Sequence, residues 1–420
     1  MPYATYSDLQ HFQVQCELPY FAITMDSARR TIIAADNNIP FIAEACAELG
    51  EVRLYDVRRP AELREALAEA EILLCRSTIR VDEDLLRGTR VRFVATATSG
   101  TDHFDIPWLE RQKIAWTSAA GSNARSVAEW MVAVLLQLHH DGTFDLDNRS
   151  IGIVGVGHVG THTARLSEAL GLRLILNDPP REERGERALA WSDIAFSSFE
   201  QTIGADIVSL HTPLETGGPY PTFHLLNTAS AALLKPEAVV VNAARGDVAD
   251  PDIFLRRSQQ DCAPSALDVF PDEPRIDPGL VDEVQIATPH VAGHSFDGKL
   301  LGTQMLVDAL SAYLGIPTSW RYEAVLPATP ILEGSGEAKA TSGDPLVQVH
   351  EIVRQAYDPL RDDAALRSTM DADPVTRAAA FRTLRAEYPL RREFRAFRVR
   401  GDSVAPEAAR ILTGLSFQLI

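Results

Sequence analysis

The chain has 420 residues, enough for two or three domains of ordinary size. Its apolar content of 45% is ordinary for a soluble globular protein. The formal net charge of −18 argues against a nucleic-acid partner, since such proteins carry a basic patch.

Cysteine usage and hydropathy indicate a reducing compartment. The four cysteines are scattered, which is neither the pattern of a disulfide framework nor that of a zinc site, so we predict no metal. No apolar run reaches the roughly 18 residues needed to span a bilayer, and residues 1–24 lack the features of a signal peptide. We therefore expect a cytoplasmic protein without a membrane partner, in which residues 1–26 are an N-terminal extension.

The first elements alternate between strands and helices. Helical patterns cover residues 40–49 and 61–69. Short apolar runs predict strands at residues 31–35, 52–55, 72–75 and 91–96. Strands that alternate with helices at this spacing favour a parallel α/β sheet.

A second α/β unit follows a long helix predicted at residues 123–140. It begins near Ser150, and a helix at about 299–314 would return the chain to the first domain. Its strands are predicted at residues 151–154, 174–176, 207–210, 239–241 and 265–269. These runs predict a complete doubly wound sheet.

The tail reads as a linker followed by a separate small domain. Residues 328–343 are rich in Pro, Gly, Ser, Glu and Thr. Helical patterns at 346–357 and 376–387 precede a strand-like run at 394–399. We thus expect an α/β protein with two Rossmann-like doubly wound parallel-sheet domains and a small α+β C-terminal domain. The predicted boundaries are 27–125 with 301–327 for the first domain, 126–300 for the second, 328–343 for the linker and 344–420 for the C-terminal domain.

The segment Gly155-Val-Gly157-His-Val-Gly160 stands between a predicted strand and a predicted helix. In this context G-x-G-x-x-G allows a tight turn and a close approach of backbone to a pyrophosphate, which the helix N-terminus attracts. We therefore assign Gly155, Gly157, His158, Val159 and Gly160 to a dinucleotide site.

Asp178 ends the next strand, about 18 residues after the last glycine, where a carboxylate accepts hydrogen bonds from the adenosine ribose. A carboxylate there repels a 2′-phosphate, so NAD is favoured over NADP. Arg181 and Arg184 weaken this preference slightly.

Three polar residues follow strands of the second sheet: Arg245, Glu273 and His290. Ligands of such sheets bind outside the carboxyl ends of the strands, so all three are expected to face one cleft. An arginine pairs with a carboxylate through two parallel hydrogen bonds, and a histidine takes up a proton near neutral pH. A neighbouring glutamate orients the imidazole and favours its cationic form. This set predicts oxidation of a hydroxy acid, with His290 as the base.

Residues 242–246, 267–274 and 288–293 resemble the signature stretches of D-2-hydroxyacid dehydrogenases. The resemblance implies that Arg245 binds the substrate carboxylate and that Glu273 and His290 form the acid/base pair. It also places a further set of residues at the NAD site: Thr212, Ala243, Ala244, Asp268 and Gly293.

The loops and the tail are similar to one branch of that family, which has an extra C-terminal domain. That similarity implies a homodimer held by this domain, and oxidation of a phosphorylated small hydroxy acid, 4-phospho-D-erythronate, for pyridoxal phosphate biosynthesis. His294 stands where the branch has a tyrosine. The implied substrate contacts are Arg76, Ser77, Thr98, Ser99, Gly100 and His294, with Arg76 as a candidate for the phosphate.

Two alternatives remain open from the sequence. One is a related dehydrogenase acting on glycerate or 3-phosphoglycerate, against which the tail argues. The other is a non-catalytic NAD-sensing protein, against which the intact Arg245, Glu273 and His290 set argues.

Overall fold

A computed structural model describes residues 30–261, 263–335 and 343–420. The predicted N-terminal extension at 1–26 lies outside these residues. The described chain divides into two compact units. One contains the residues up to Asn123 with Asp297–Pro327, and the other contains Ala124–Phe296 with Ala328–Ile420.

The first unit is built on a parallel sheet. Its strands are β1 (Ile32–Asp36), β2 (Glu51–Tyr55), β3 (Ile72–Cys75), β4 (Phe93–Thr96) and β5 (Ala115–Ser118), in the order β2-β1-β3-β4-β5. Its helices are α1 (Ile42–Ala45), α2 (Pro60–Leu67), α3 (Glu83–Leu86), α4 (Ile106–Arg111) and α12 (Phe296–Leu314). Strands β1, β3 and β4 are buried along their whole length, as expected for a parallel sheet covered on both faces.

The second unit contains a six-stranded parallel sheet. Its strands are β6 (Ser150–Val154), β7 (Arg173–Asn177), β8 (Ile207–Leu210), β9 (Val239–Asn242), β10 (Ser265–Leu267) and β11 (Ile286–Ala287), in the order β11-β10-β9-β8-β6-β7. Its helices are α5 (Ala124–His140), α6 (His158–Ala169), α7 (Pro179–Glu183), α8 (Phe199–Ile203), α9 (Thr228–Ala231), α10 (Pro251–Asp261) and α11 (Pro278–Glu283). Parallel strands place the loops that follow them at one edge of the sheet, where ligands bind in such folds.

In the described part of the C-terminal segment, residues 328–335 and 343–420, the chain forms a third, small parallel sheet and four helices. The strands are β12 (Ile331–Leu332), β13 (Arg398–Val399) and β14 (Gln418–Leu419), in the order β12-β13-β14. The helices are α13 (Pro345–Ala356), α14 (Pro359–Arg367), α15 (Pro374–Ala386) and α16 (Pro406–Gly414).

This segment shares a hydrophobic core with the second sheet. Val349 and Ile352 of α13 are buried in the cluster that contains Leu135 of α5 and Ile151 of β6. The segment that the sequence describes as a separate domain therefore clusters with the nucleotide-binding fold in one compact unit. The domain boundaries predicted from the sequence, with a separate domain at 344–420, remain a prediction.

Two predicted features of the tail differ in the structure. The predicted linker contains β12, which pairs with β13, and residues 336–342 of that linker lie outside the described residues. The predicted strand at 394–399 begins instead as a 3₁₀ turn at Phe394–Ala396. The side chain of Phe394 is fully buried and its ring stacks on that of Phe417. The apolar run therefore packs as a core turn, and only its end pairs as a strand.

Candidate active site

The glycine loop joins β6 directly to α6, which begins at His158. Gly155 has a φ of 87°, and a Cβ there would lie 2.9 Å from the carbonyl carbon of His211. A Cβ on Gly157 would instead meet open space, so the backbone is accessible on that side. The loop therefore leaves room for a pyrophosphate at the start of α6, with Val159 and Gly160 in its first turn.

Asp178 connects this loop to α7. Its carboxylate accepts the amide of Val156 at 2.8 Å and that of Arg181 at 3.2 Å, which caps α7. Arg181 and Arg184 both pair with Glu186, at 2.7 and 2.5 Å. The two arginines that weakened the preference for NAD are thus paired with a carboxylate.

Thr212 lies beside the glycine loop, since a Cβ on Gly155 would be 3.0 Å from its amide nitrogen. Its hydroxyl is buried and has no hydrogen-bond partner in the described residues. A buried hydroxyl without a partner is costly, so this position suits a polar group of a bound dinucleotide.

The loop after β9 is held by Asn242. The buried Asn242 side chain donates to the carbonyl of Arg245 at 3.0 Å and accepts the amide of Ala244 at 3.0 Å. The Arg245 guanidinium donates to the carbonyl of Ala244 at 2.8 Å. Ala243 is half-buried and Ala244 buried in the same turn. Asn242 was not among the residues predicted from the sequence, although it opens the signature stretch.

The arginine loop abuts the loop that carries Glu273. A Cβ on Gly246 would lie 2.0 Å from the carbonyl carbon of Phe270, so no larger residue fits there. The amide of Phe270 in turn donates to Oε1 of Glu273 at 2.9 Å. Arg245 and Glu273 therefore stand on adjoining loops at the same edge of the sheet.

Glu273 and His290 are in direct contact, with 2.7 Å between Oε2 and Nδ1. Burial raises the pKa of the Glu273 carboxyl, but the imidazole of His290, the Phe270 amide and Arg385 together hold it below its usual range. An ionised Glu273 fixes the ring of His290 and leaves Nε2 to face a ligand. This is the geometry of a general base with its orienting carboxylate.

Asp268 organises the loop of His290. It is buried and accepts the Thr288 hydroxyl at 2.6 Å, the Val291 amide at 2.8 Å and the Ala292 amide at 2.9 Å. Burial raises the pKa of its carboxyl to about 6 despite these bonds. Its predicted contact with the nicotinamide, like that of the half-buried Gly293, stays a prediction.

The C-terminal segment also contacts this loop, and this contact was not predicted from the sequence. Arg391 donates to the carbonyls of Ala292 at 2.9 Å and Ser126 at 2.8 Å. His294 packs edge-on against Tyr388, with 5.6 Å between ring centroids. The available signal was the density of arginines in the tail, but no local pattern shows which strand end they meet.

The remaining predicted substrate residues lie in the first unit. The loops after β3 and β4 adjoin, because the amide of Ala97 donates to the carbonyl of Cys75 at 2.9 Å. Ser99 donates to Asn123 at 2.6 Å, and the hydroxyl of Thr98 donates to the carbonyl of Gly100 at 3.2 Å. Arg76 and Ser77 are thus brought to the same sheet edge as Thr98, Ser99 and Gly100.

A second cation, Lys299 at the start of α12, lies near Arg76 and was not predicted. Burial, and then the charge of Arg76, lower the pKa of its ammonium group. Two like charges held close in a partly buried place favour an anion between or beside them.

Comparison with known proteins gives two matched regions and close full-length relatives. Residues 120–292 match the family described as D-isomer specific 2-hydroxyacid dehydrogenase, NAD binding domain, and residues 326–415 match a domain of unknown function. Erythronate-4-phosphate dehydrogenase from Marinobacter nauticus is 43% identical over 370 residues, which cover 88% of this chain and 94% of that protein.

The chain belongs to the erythronate-4-phosphate dehydrogenase family. Members from Salinibacter ruber and Pseudomonas aeruginosa are each 40% identical, and the alignments cover 92% of this chain and 98% and 100% of theirs. The predicted resemblance to D-2-hydroxyacid dehydrogenases is confirmed, and so is NAD as the cofactor of the second unit.

Solved structures share the fold of this dehydrogenase family. D-lactate dehydrogenase from Aquifex aeolicus, complexed with NAD and lactic acid, has a TM-score of 0.53 and 22% identity, covering 67% of this chain and 95% of its own. The predicted α/β fold class is confirmed. Among the described residues, no helix is long and apolar enough to cross a bilayer.

Proposed function

We propose that this chain oxidises 4-phospho-D-erythronate to 2-oxo-3-hydroxy-4-phosphobutanoate with NAD, as a step in pyridoxal 5′-phosphate biosynthesis. The observation that carries the proposal is the bond between Glu273 and His290, on a loop that adjoins the loop of Arg245. The relatives that bear the corresponding name support the choice of substrate.

The roles of the three residues follow from their chemistry. Arg245 pairs with the substrate carboxylate through its planar guanidinium and so fixes C2. His290 accepts the proton of the C2 hydroxyl at Nε2, while Glu273 stabilises the imidazolium through Nδ1. The glycine loop before α6 would hold NAD, which would supply the hydride acceptor for the C2 hydrogen. Proton and hydride together account for both hydrogens that the alcohol loses.

The phosphate end of the substrate needs cations. We assign Arg76 and Lys299 to it, because their charges lie close enough for Arg76 to depress the pKa of the Lys299 ammonium. Ser77, Thr98, Ser99, Gly100 and His294 remain proposed substrate contacts.

A panel of hydroxy acids tests the substrate. The purified protein is assayed with NAD and 4-phospho-D-erythronate, D-glycerate or 3-phosphoglycerate, and NADH is followed by its near-ultraviolet absorbance. We expect the highest kcat/KM on 4-phospho-D-erythronate. A preference for either three-carbon acid contradicts the proposed substrate, and no turnover on any of them favours a non-catalytic NAD-binding role.

We also propose a cytoplasmic homodimer joined through the C-terminal segment. In that segment the apolar side chains of Val375 and Leu390 expose 79% and 64% of their surface, which makes them candidates for a subunit contact. Light scattering of the full chain should give twice the mass of 46.1 kDa. A Leu390→Asp variant should weaken the dimer, and a monomeric full chain at micromolar concentration would contradict the assignment.

A further inference from the structure

A cation from the C-terminal segment faces the acid/base pair. Nη1 of Arg385 lies 4.0 Å from Oε2 of Glu273, the same oxygen that lies 2.7 Å from Nδ1 of His290. We propose that Arg385 is a positioning residue of the reaction, whose charge keeps Glu273 ionised and disfavours protonation of the pair. The inference rests on the proposed function, because it concerns how readily His290 accepts a proton.

The residues around Arg385 leave its guanidinium close to the carboxylate of Glu273. The residue belongs to the last turn of α15, and its guanidinium carbon lies 5.9 Å from the centre of the Phe381 ring. Its Nε is buried without a hydrogen-bond partner in the described residues. Within that part of the chain, Glu273 is the carboxylate within 4.0 Å of Arg385. The guanidinium therefore lies beside the Phe381 ring and, within the described residues, has no closer ion pair than the one with Glu273.

The sign of the effect follows from counting charges. With a proton on His290, the pair is an anion beside a cation and has no net charge. Without that proton, the pair carries one negative charge. A fixed cation at 4.0 Å stabilises the second state more than the first, so Arg385 favours the proton-accepting form of His290.

Other charged groups face the same pair. Asp268, at the end of β10, lies close enough to His290 for the imidazole to lower the pKa of its carboxyl, and when ionised it favours the imidazolium. Tyr388, after α15, donates its hydroxyl to Asp362 at 2.6 Å. Arg245 stands on the loop that adjoins that of Glu273 and carries a charge of the same sign as Arg385. The charge of Arg385 thus opposes the influence of an ionised Asp268 on His290.

The charge of Arg385 can be removed while its neighbours stay. Arg385→Gln loses the cation, and Arg385→Lys keeps it without the planar fork. Arg382→Gln removes an exposed charge from the same helix and serves as the matched control. Should Arg385→Gln fail to fold, Arg385→Met keeps the apolar stem and replaces it.

The measurement is the pH profile of kcat/KM with 4-phospho-D-erythronate and NAD. In Arg385→Gln we expect the acid limb to move up by roughly 0.5–1 pH unit, because one close charge is lost. Arg385→Lys should keep the wild-type limb, and Arg382→Gln should leave it unchanged.

Three outcomes overturn the inference. An unshifted acid limb with lower activity at every pH would reduce Arg385 to a structural role. A rise in KM at every pH with kcat and limb unchanged would make Arg385 a substrate contact. An equal shift in Arg382→Gln would show a general charge effect. Inactive wild-type protein would instead refute the proposed function first, so the two failures are distinguishable.

Discussion

His290 adopts a left-handed backbone conformation, with a φ of 57°, which side chains other than glycine rarely adopt. The conformation is held because Asp268 fixes the residues on both sides, through the Thr288 hydroxyl and the Val291 amide. Strain of this kind persists where the surrounding bonds over-determine the backbone. The hydrogen bonds of Asp268 therefore fix the backbone that carries the imidazole, and the hydrogen bond of Glu273 fixes the orientation of the ring.

Replacing the proposed base tests its role directly. His290→Ala should lower kcat by roughly 100- to 10,000-fold, the usual effect of losing a general base. Steady-state kinetics with saturating NAD measures this. His140→Ala, at the exposed end of α5, is the control and should retain activity. Near-normal kcat in His290→Ala would remove His290 from the chemistry.

A second prediction at the scale of single residues concerns Glu186 and the choice between NAD and NADP. Because Glu186 binds both Arg181 and Arg184, Glu186→Gln should remove the carboxylate that offsets their charge and so favour a 2′-phosphate nearby. Exposed ion pairs are weak, so the affinity for NADPH should rise only about two- to fivefold. Fluorescence titration with NADPH and NADH measures the change.

The exposed Glu182 provides the matched control for this experiment. Glu182→Gln removes an equal charge from α7 without touching that ion pair. If both variants gain the same affinity for NADPH, the effect is one of net charge and Glu186 has no special part.

At the scale of elements, strands of the two large sheets were more predictable than helices. The predicted strand at 207–210 coincides with β8, because buried parallel strands show as unbroken apolar runs. The predicted helix at 40–49 shrinks to α1, Ile42–Ala45. Strand β5 was missed, since Ala115–Ser118 has only one large apolar residue. Helix α14 was also missed, because it packs on β11 through a few contacts and has no strong apolar face.

One buried carboxylate joins three elements of the second sheet. Asp206, just before β8, accepts the Ser150 amide and hydroxyl at 2.8 and 2.6 Å and the Lys235 ammonium at 2.6 Å. Burial alone would raise the pKa of its carboxyl, but Lys235 and Ser150 hold it far below the usual range. The ionised form is therefore the one that stabilises the fold.

This depressed pKa gives a pH prediction. The stabilisation by Asp206 is complete above the ordinary aspartate pKa, near 4, and is lost as the pH falls toward the folded value. Asp206→Asn should lower the free energy of unfolding at neutral pH by about 1.5–3 kcal/mol, and should flatten its dependence on pH below about 4. Urea unfolding at several pH values measures both effects.

A comparison carboxylate is Asp193, which is fully exposed and pairs with Arg187. Asp193→Asn should change the free energy of unfolding by less than about 1 kcal/mol. An Asp206→Asn variant as stable as this control would contradict the account of the buried carboxylate.

At the scale of the whole molecule, the sequence predicts what is local and misses what is distant. Arg245, Glu273 and His290 could be predicted because each follows a strand in chain order. Arg391 was not found, because it meets Ala292 from 99 residues away and no periodicity records that contact. Arg385 and Tyr388 were not predicted either, because their contacts with Glu273 and His294 also join residues that are far apart in the sequence.

Removing the C-terminal segment should unfold the second unit. A chain ending at Gly343 loses Val349, Ile352 and Phe394 from the core around α5. Each buried side chain of this size contributes about 1.5–3 kcal/mol, so their sum approaches the total stability of a typical domain. We expect insoluble protein or loss of cooperative thermal unfolding. A soluble, cooperatively folding 1–343 chain would contradict the shared core.

The contact between Arg391 and Ala292 also has a consequence for the order in which the protein is synthesised and becomes active. A ribosome makes the loop of His290 well before it makes the arginine that anchors that loop. Nascent or prematurely terminated chains therefore contain the residues of the dinucleotide fold, but lack both the segment that completes its core and the arginine that anchors the loop of His290. Competence for hydride transfer should arrive only after this segment has been synthesised, so that shorter products do not turn over substrate in the cell.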